Sequence, residues 1–121
     1  MSMAPNTHLQ ISPVWVGEPV ELASGQAVVR LRTNPEMCAD ERGLVHGGFT
    51  FGLADYAAML AVNDPKVVLG AADSRFLAPV QVGEVMEARA EIVEEKGKKR
   101  VVKCSVATDK PVFEASFTCF V

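Results

Sequence analysis

The stretch HGGFTFGLADYAAMLAVN, residues 46–63, decides the fold of this 121-residue chain. From Phe49 to Val62 nearly every residue is apolar or small on all sides of a helix, and such a helix is normally buried. The apolar run is too short to span a bilayer, so the sequence predicts a helix buried within protein. Pro65 cannot continue that helix, which we therefore expect to end near Asn63.

Asp55 is the only charged residue of this stretch. Burying a carboxylate is costly unless partners compensate for its lost hydration. A structural explanation is a carboxylate that hydrogen-bonds backbone or hydroxyl groups and ties the helix to a sheet. A functional explanation is a general base or nucleophile in a dry site, and the apolar neighbours of Asp55 favour it. Burial should raise the pKa of this carboxyl group, and hydrogen bonds should lower it.

Composition restricts the class of protein. The chain is long enough for one domain, and 49% hydrophobic with 22% charged residues is typical of a globular protein. A net charge of −3 argues against a general attraction to nucleic acid. The three cysteines are odd in number and lack paired spacing, so we expect reduced thiols in a cytoplasmic protein. We find no signal-peptide pattern and expect no membrane span.

Alternation of apolar and polar residues predicts strands on both sides of the helix. We expect the first dozen residues to be loose, residues 14–21 to form a short strand and residues 26–33 a half-buried one. After the helix the pattern predicts four strands joined by turns. These four strands are expected at residues 66–77, 84–95, 99–108 and 112–121.

This element order predicts an α+β fold. An antiparallel meander buries one face, and the helix is the only cover that the sequence offers for it. The economical arrangement is an antiparallel sheet wrapped around one long buried helix. One helix cannot cover the whole sheet, so we expect a second subunit to cover part of the edge and part of the helix.

The residues that open the helix are candidates for chemistry. Gly47 and Gly48 either pack the helix start against a strand or present a backbone N–H to a ligand oxygen. Such a donor suits a carbonyl that becomes an oxyanion. His46 either orients the first helical turn, packs against a partner subunit, or assists the carbonyl as a donor.

The combination of His46-Gly47-Gly48, four further residues and then Leu53-Ala54-Asp55 resembles the hotdog-fold acyl-CoA thioesterases of the PaaI-like (phenylacetic-acid thioesterase) branch. The later segment Phe-Leu-Ala-Pro at residues 76–79, followed by Gly-Glu at residues 83–84, is similar to the strand end of that family. The resemblance implies a hotdog fold, homodimers that pair into tetramers in some members, and hydrolysis of a CoA thioester. It implies no metal and no cofactor, since CoA is part of the substrate.

The resemblance also implies roles for individual residues. Asp55 would be the general base or nucleophile, and the Gly47 N–H would polarise the thioester carbonyl next to His46. Asp40 lies six residues before His46, where many members carry Asn or Gln. Arg75 interrupts a mostly apolar strand and so calls for an anionic partner. The expected substrate-binding residues are therefore Gly48, Asp40, Arg75, Phe76 and Pro79.

The spacing of Gly47 and Asp55 predicts a site shared between subunits. Eight residues of helix separate their backbones by about 12 Å, which is too far for both to act on one thioester. Two antiparallel helices at a two-fold axis would bring each Gly47 to the partner's Asp55. Two other functions remain open: an acyl-CoA-sensing module without turnover, and a hotdog dehydratase, for which we see no paired His and carboxylate motif.

Overall fold

The computed structural model describes residues 3–121 of the chain. Within this range the predicted α+β fold, a sheet curved around one long helix, is confirmed. The elements are β1 (Glu18–Ala23), β2 (Gln26–Arg32), a short 3-10 turn (Pro35–Met37), α1 (Gly47–Val62), β3 (Val68–Phe76), β4 (Val85–Lys96), β5 (Lys99–Ala107) and β6 (Pro111–Phe120).

The helix begins and ends where the sequence predicts. His46 is the N-cap, and its ring accepts a hydrogen bond from the Gly48 N–H. Asn63 is the C-cap in the left-handed conformation, with φ of 54°, and its N–H donates to the Met59 carbonyl at 2.8 Å. Asn tolerates this conformation better than most residues, and Pro65 then prevents a further turn.

The six strands form one antiparallel sheet in the order β1-β2-β4-β5-β6-β3. Only β4, β5 and β6 form the expected meander, because β3 pairs with β6 and not with β4. The reason is that β2 pairs with β4, which leaves β3 the opposite edge of the sheet. The expectation of a simple four-strand meander after the helix is therefore wrong for β3.

The inner face of the sheet and the helix together form the core. Leu53, Met59 and Leu60 of the helix are fully buried against it. Cys104 and Cys119 are free thiols buried as small core residues. Alternation predicts inward faces of β4, β5 and β6, and of these residues Ile92 is partly buried and packs against the core, whereas the others are buried, namely Met86, Ala88, Ala90, Val102, Cys104, Val106, Phe113, Ala115, Phe117 and Cys119.

The prediction of a loose N-terminus is wrong for residues 3–12. Thr7 is only 5% exposed, Ile11 packs against the core, and the Asn6 N–H donates to the Asn63 side chain at 2.7 Å. The sheet leaves one side of the helix open, and this segment covers part of it. The strand expected at residues 14–21 begins only at Glu18, because the chain turns before that residue.

No helix within residues 3–121 is long and apolar enough to cross a membrane.

Candidate active site

The first turn of the helix presents one free backbone donor. The Gly48 N–H donates to His46 Nδ1 at 2.8 Å, and the Phe49 N–H donates to the His46 carbonyl at 3.0 Å. Within residues 3–121 the Gly47 N–H has no acceptor. A helix N-terminus with an unpaired N–H is suited to bind a partly negative oxygen. His46 Nδ1 is therefore engaged as the side-chain cap of this helix.

Gly47 faces a cleft of about 340 Å³ between the helix start and the end of β3. The ring of Phe76 lies across this glycine, so that a Cβ at position 47 would be 3.0 Å from Phe76 Cε1. Phe76 in turn stacks edge-on against Phe113, with ring centroids 5.0 Å apart. The cleft therefore brings together three predicted site residues, Gly47, Phe76 and Pro79.

Asp55 lies two turns further along the helix and is half-buried. Its Oδ1 atom is buried, and no hydrogen-bond donor of residues 3–121 reaches it. Burial raises the pKa of the Asp55 carboxyl group above its ordinary value, and the nearby His8 opposes this by lowering it. An unpaired carboxylate in a partly dry setting is a strong proton acceptor, so Asp55 has the properties of a general base.

The cleft at Gly47 does not include Asp55. Both residues lie on α1, and their backbones are separated by about 12 Å along its axis. One chain therefore holds a carbonyl-binding element and a base, but it does not bring them to a common substrate atom.

Asp40 is held in the loop before the helix. Its carboxylate accepts two hydrogen bonds from the Arg42 guanidinium, at 2.6 and 2.9 Å, and one from the Arg42 N–H. These bonds hold the pKa of the Asp40 carboxyl group below its ordinary value. Asp40 is thus satisfied within its own loop and does not line the cleft.

Arg75 lies on the outer face of the sheet, since its neighbour Phe76 points to the helix and successive residues of a strand alternate. There it is opposite Glu114 of β6, in a shallow depression that also contains Arg89 and Lys103. The structure therefore does not bring Arg75 to the cleft at Gly47.

Three further polar residues lie near these sites, and the sequence indicated neither Thr50 nor His8 among them. Thr50 is 3% exposed, lines the cleft and donates to Met86 Sδ at 3.3 Å. Ser74 alternates with Phe76 on the inner face of β3, opposite the buried Ala115. His8 acts on Asp55 from the irregular N-terminal segment, where no periodicity exists to reveal it. Within residues 3–121 no three His, Cys, Asp or Glu side chains are grouped so as to hold a metal ion.

Comparison with known proteins assigns the chain to a family. Residues 42–114, more than half of the chain, match the model of the thioesterase superfamily. The chain belongs to the thioesterase superfamily. The matched range contains His46, Gly47 and Asp55, together with β3, β4 and β5.

Two relatives of this thioesterase-superfamily chain carry other names. It is 51% identical over 113 residues to a methylthioribose-1-phosphate isomerase of Aquifex aeolicus, covering 92% of this chain and 25% of that protein. It is 27% identical over 104 residues to the transcription factor FapR of Thermoanaerobacter sp., covering 84% of this chain and 52% of that protein. The chain thus spans about a quarter of the isomerase and about half of FapR.

Solved structures show the same fold. The uncharacterized protein PH1136 of Pyrococcus horikoshii superposes with a TM-score of 0.98 at 51% identity, over 100% of this chain and 94% of that one. A mutant of the phenylacetic acid degradation protein PaaI of Thermus thermophilus superposes with a TM-score of 0.79 at 30% identity. That match covers 87% of this chain and 93% of PaaI.

Proposed function

We propose that this chain hydrolyses acyl-CoA thioesters to a free acid and CoA, as a homodimeric enzyme of the PaaI-like branch. The observation that carries the proposal is Asp55, whose buried Oδ1 has no donor within residues 3–121 and whose pKa is raised by burial. A carboxylate kept short of hydrogen bonds in the middle of an otherwise apolar helix has a chemical use that packing alone does not supply. Membership of the thioesterase superfamily supports the reaction class.

In the proposed reaction Asp55 takes a proton from water while the water oxygen bonds to the thioester carbonyl carbon. The carbonyl electrons move to its oxygen, which accepts a hydrogen bond from the Gly47 N–H at the helix N-terminus. The C–S bond then breaks, and the departing thiolate takes the proton from Asp55. In a covalent variant, the Asp55 carboxylate attacks the carbonyl itself and water hydrolyses the resulting anhydride.

The proposed active site is composite. The separation of about 12 Å along one helix requires the Gly47 and the Asp55 that act on one thioester to come from two subunits. The edge strand β3 supports dimer formation, because no strand within residues 3–121 pairs with its outer side and Val68 and Phe76 are 59% and 58% exposed. Exposed edges of this kind favour pairing with a second sheet.

The expected substrate-binding residues differ in how close they lie to the cleft. Phe76, Pro79 and Gly48 lie at or beside the cleft, where an acyl group or the thioester would bind. Asp40 and Arg75 would reach a substrate only from the loop or from the outer face of the sheet. We further propose that the enzyme needs no metal or other cofactor and works in the cytoplasm, where its three thiols stay reduced.

The decisive experiment measures thiol release from a panel of short-chain, medium-chain and aryl acyl-CoAs. Wild-type turnover that Asp55→Asn abolishes supports the hydrolase. In single-turnover hydrolysis in ¹⁸O-water, label in the Asp55 carboxylate would identify the covalent route with water attack at the Asp55 carbonyl carbon of the anhydride, because the general-base route labels only the product acid. Absence of thiol release for every acyl-CoA in the panel would contradict the proposal.

A second function has its own support. An acyl-CoA-binding module without turnover fits the similarity to FapR, which is named as a transcription factor and covers most of this chain. Calorimetric binding of acyl-CoA without thiol release would favour this function. In that case Asp55→Asn should leave the bound acyl-CoA intact and its affinity close to that of wild type.

A further inference from the structure

The cleft at Gly47 contains a single side-chain hydroxyl group. Among the described residues 3–121, Thr50 is the only residue lining this cleft that has a polar side chain. The other side chains that line it are apolar, namely Val45, Phe76, Leu77, Ala78, Pro79 and Val80. Thr50 is also buried, so its hydroxyl group lies among apolar groups and away from bulk water.

The Thr50 hydroxyl group has an incomplete set of hydrogen bonds. It donates to Met86 Sδ at 3.3 Å, and a thioether sulfur is a weak acceptor. The hydroxyl oxygen can itself accept two hydrogen bonds, but no donor within residues 3–121 is bonded to it. A buried hydroxyl without adequate partners destabilises a fold, and valine would fill a similar volume without this cost. The Thr50 oxygen is therefore available to a donor from a bound molecule.

Thr50 lies one helical turn after Gly47. Residues three apart on a helix are neighbours on its surface, with about 5–6 Å between their Cβ positions. Helical side chains also lean toward the N-terminus, which directs Thr50 toward the turn that contains Gly47. When the Gly47 N–H binds a carbonyl oxygen, the next few atoms of the same molecule therefore lie beside the Thr50 hydroxyl group.

We propose that Thr50 is a specificity-determining residue, whose oxygen accepts a hydrogen bond from a hydroxyl group on the second or third carbon of the acyl group. The proposal rests on the proposed hydrolase, in which the Gly47 N–H binds the thioester carbonyl. It names the substrate class as short hydroxyacyl-CoA thioesters.

The size and the lining of the cleft favour the acyl group over the CoA arm as its occupant. A volume of about 340 Å³ is near the lower end for ligand pockets, which suits a short chain. The apolar side chains can contact the acyl carbons. The amide groups of the CoA arm would instead need several polar partners, and Thr50 alone does not supply them.

The test compares butyryl-CoA with 2-hydroxybutyryl-CoA and 3-hydroxybutyryl-CoA, both enantiomers of each, by the kcat/KM of thiol release. Thr50→Val removes the hydroxyl group at similar volume. With one of the two hydroxylated substrates, the ratio of kcat/KM to that of butyryl-CoA should be about 3–10-fold lower in Thr50→Val than in wild type. This is the usual effect of one hydrogen bond between neutral groups. Thr50→Ser is the matched control and should keep the wild-type ratio, because it keeps the hydroxyl group.

Equal ratios in wild type and folded Thr50→Val would overturn the proposal. An equal fall of kcat/KM with all the substrates would also overturn it, because Thr50 would then contact the CoA arm that they share or serve packing alone. Circular dichroism and the thermal midpoint check that each variant is folded. Thr50→Ala, which also lacks the hydroxyl group, provides the same comparison if Thr50→Val does not fold.

Binding measurements separate this proposal from the proposed hydrolase. Calorimetry on proteins that all carry Asp55→Asn gives the Kd values of the same acyl-CoAs without relying on turnover, and their ratio should depend on Thr50 in the same way. If the hydrolase assignment fails, wild type releases no thiol while the Kd ratio still changes in Thr50→Val. If the Thr50 proposal fails, thiol is released and neither ratio changes.

Discussion

The ring of Phe76 lies directly over Gly47, so close that a Cβ on the glycine would stand 3.0 Å from Phe76 Cε1. This contact joins the end of β3 to the first residue of the helix, and both residues line the cleft. Glycine fits this position without strain, whereas a Cβ would require the Phe76 ring to move by a few tenths of an ångström. The unpaired N–H of Gly47 is therefore presented next to an aromatic wall.

The contact between Phe76 and Gly47 determines which variants can test the Gly47 N–H as a hydrogen-bond donor. Gly47→Pro removes the N–H, but it also adds a Cβ that presses on Phe76. Gly47→Ala adds the same Cβ and keeps the N–H, so it is the matched control. We expect kcat with the best acyl-CoA to fall about 10²–10³-fold further in Gly47→Pro than in Gly47→Ala, which is the usual cost of one oxyanion donor.

Proline is tolerated in the first turn of a helix, so both variants should fold. Circular dichroism and the thermal midpoint check this point. Equal kcat values in the two folded variants would show that the N–H is dispensable and that only space at position 47 matters.

Asp55→Asn should fold and lose hydrolysis. The amide occupies the volume of the carboxylate but cannot accept a proton, so kcat should fall about 10²–10⁴-fold. Stopped assays of thiol release, with binding of a non-hydrolysable acyl-CoA analogue as the control, measure the loss. Near-normal kcat in the folded variant would make Asp55 a structural carboxylate.

Asp55→Asn, which is expected to lower activity, should raise the stability of the folded protein. The folded pKa of Asp55 is raised above its value in the unfolded chain, so between the two pKa values the native state binds more protons than the unfolded state. The contribution of Asp55 to stability is therefore fully present at pH below the unfolded value and is lost as pH rises through the folded value. At neutral pH Asp55→Asn should melt at a higher temperature than wild type.

Thermal melts between about pH 4 and about pH 8 test this linkage. The acid limit of about pH 4 lies near the ordinary pKa of a carboxyl group. The advantage of Asp55→Asn should shrink toward the acid end, where wild-type Asp55 is protonated. A gap between the two proteins that stays constant with pH would contradict a raised pKa for Asp55.

Much of the fold could be predicted because it depends on periodicity. The helix bounds followed from the apolar run and from Pro65, and the inward faces of β4, β5 and β6 followed from alternation. The position of β3 could not be predicted in this way, because alternation identifies a strand but not its partner. β3 lies at the far edge since β2 had already paired with β4, a contact between residues far apart in sequence.

The site could be predicted only where its residues lie on regular elements. Gly47 and Asp55 were found because a glycine pair and a charge interrupt an apolar helix. His8 was missed because it lies in an irregular segment, and residues 3–12 were wrongly expected to be loose. Their order depends on specific side-chain bonds to Asn63 and on the buried Thr7, which a hydropathy pattern does not reveal.

The last prediction concerns the sharing of the site between two chains. Two inactive variants, Asp55→Asn and Gly47→Pro, are mixed after reversible dissociation. A mixed dimer then has one site with both defects and one site with neither, because each site takes Gly47 from one chain and Asp55 from the other. Each mixed dimer should therefore regain about half the wild-type activity, whereas each variant alone stays inactive.

Differently tagged chains allow the mixed dimer to be isolated by two affinity steps before thiol release is measured. The control mixes Asp55→Asn with Asp55→Asn of the other tag, which has no intact site in any arrangement. A pure mixed dimer that stays as inactive as this control would mean that Gly47 and Asp55 act within one chain or that one of them takes no part. The separation of about 12 Å along the helix makes the first explanation incompatible with a single thioester, so a negative result would remove one of the two residues from the mechanism.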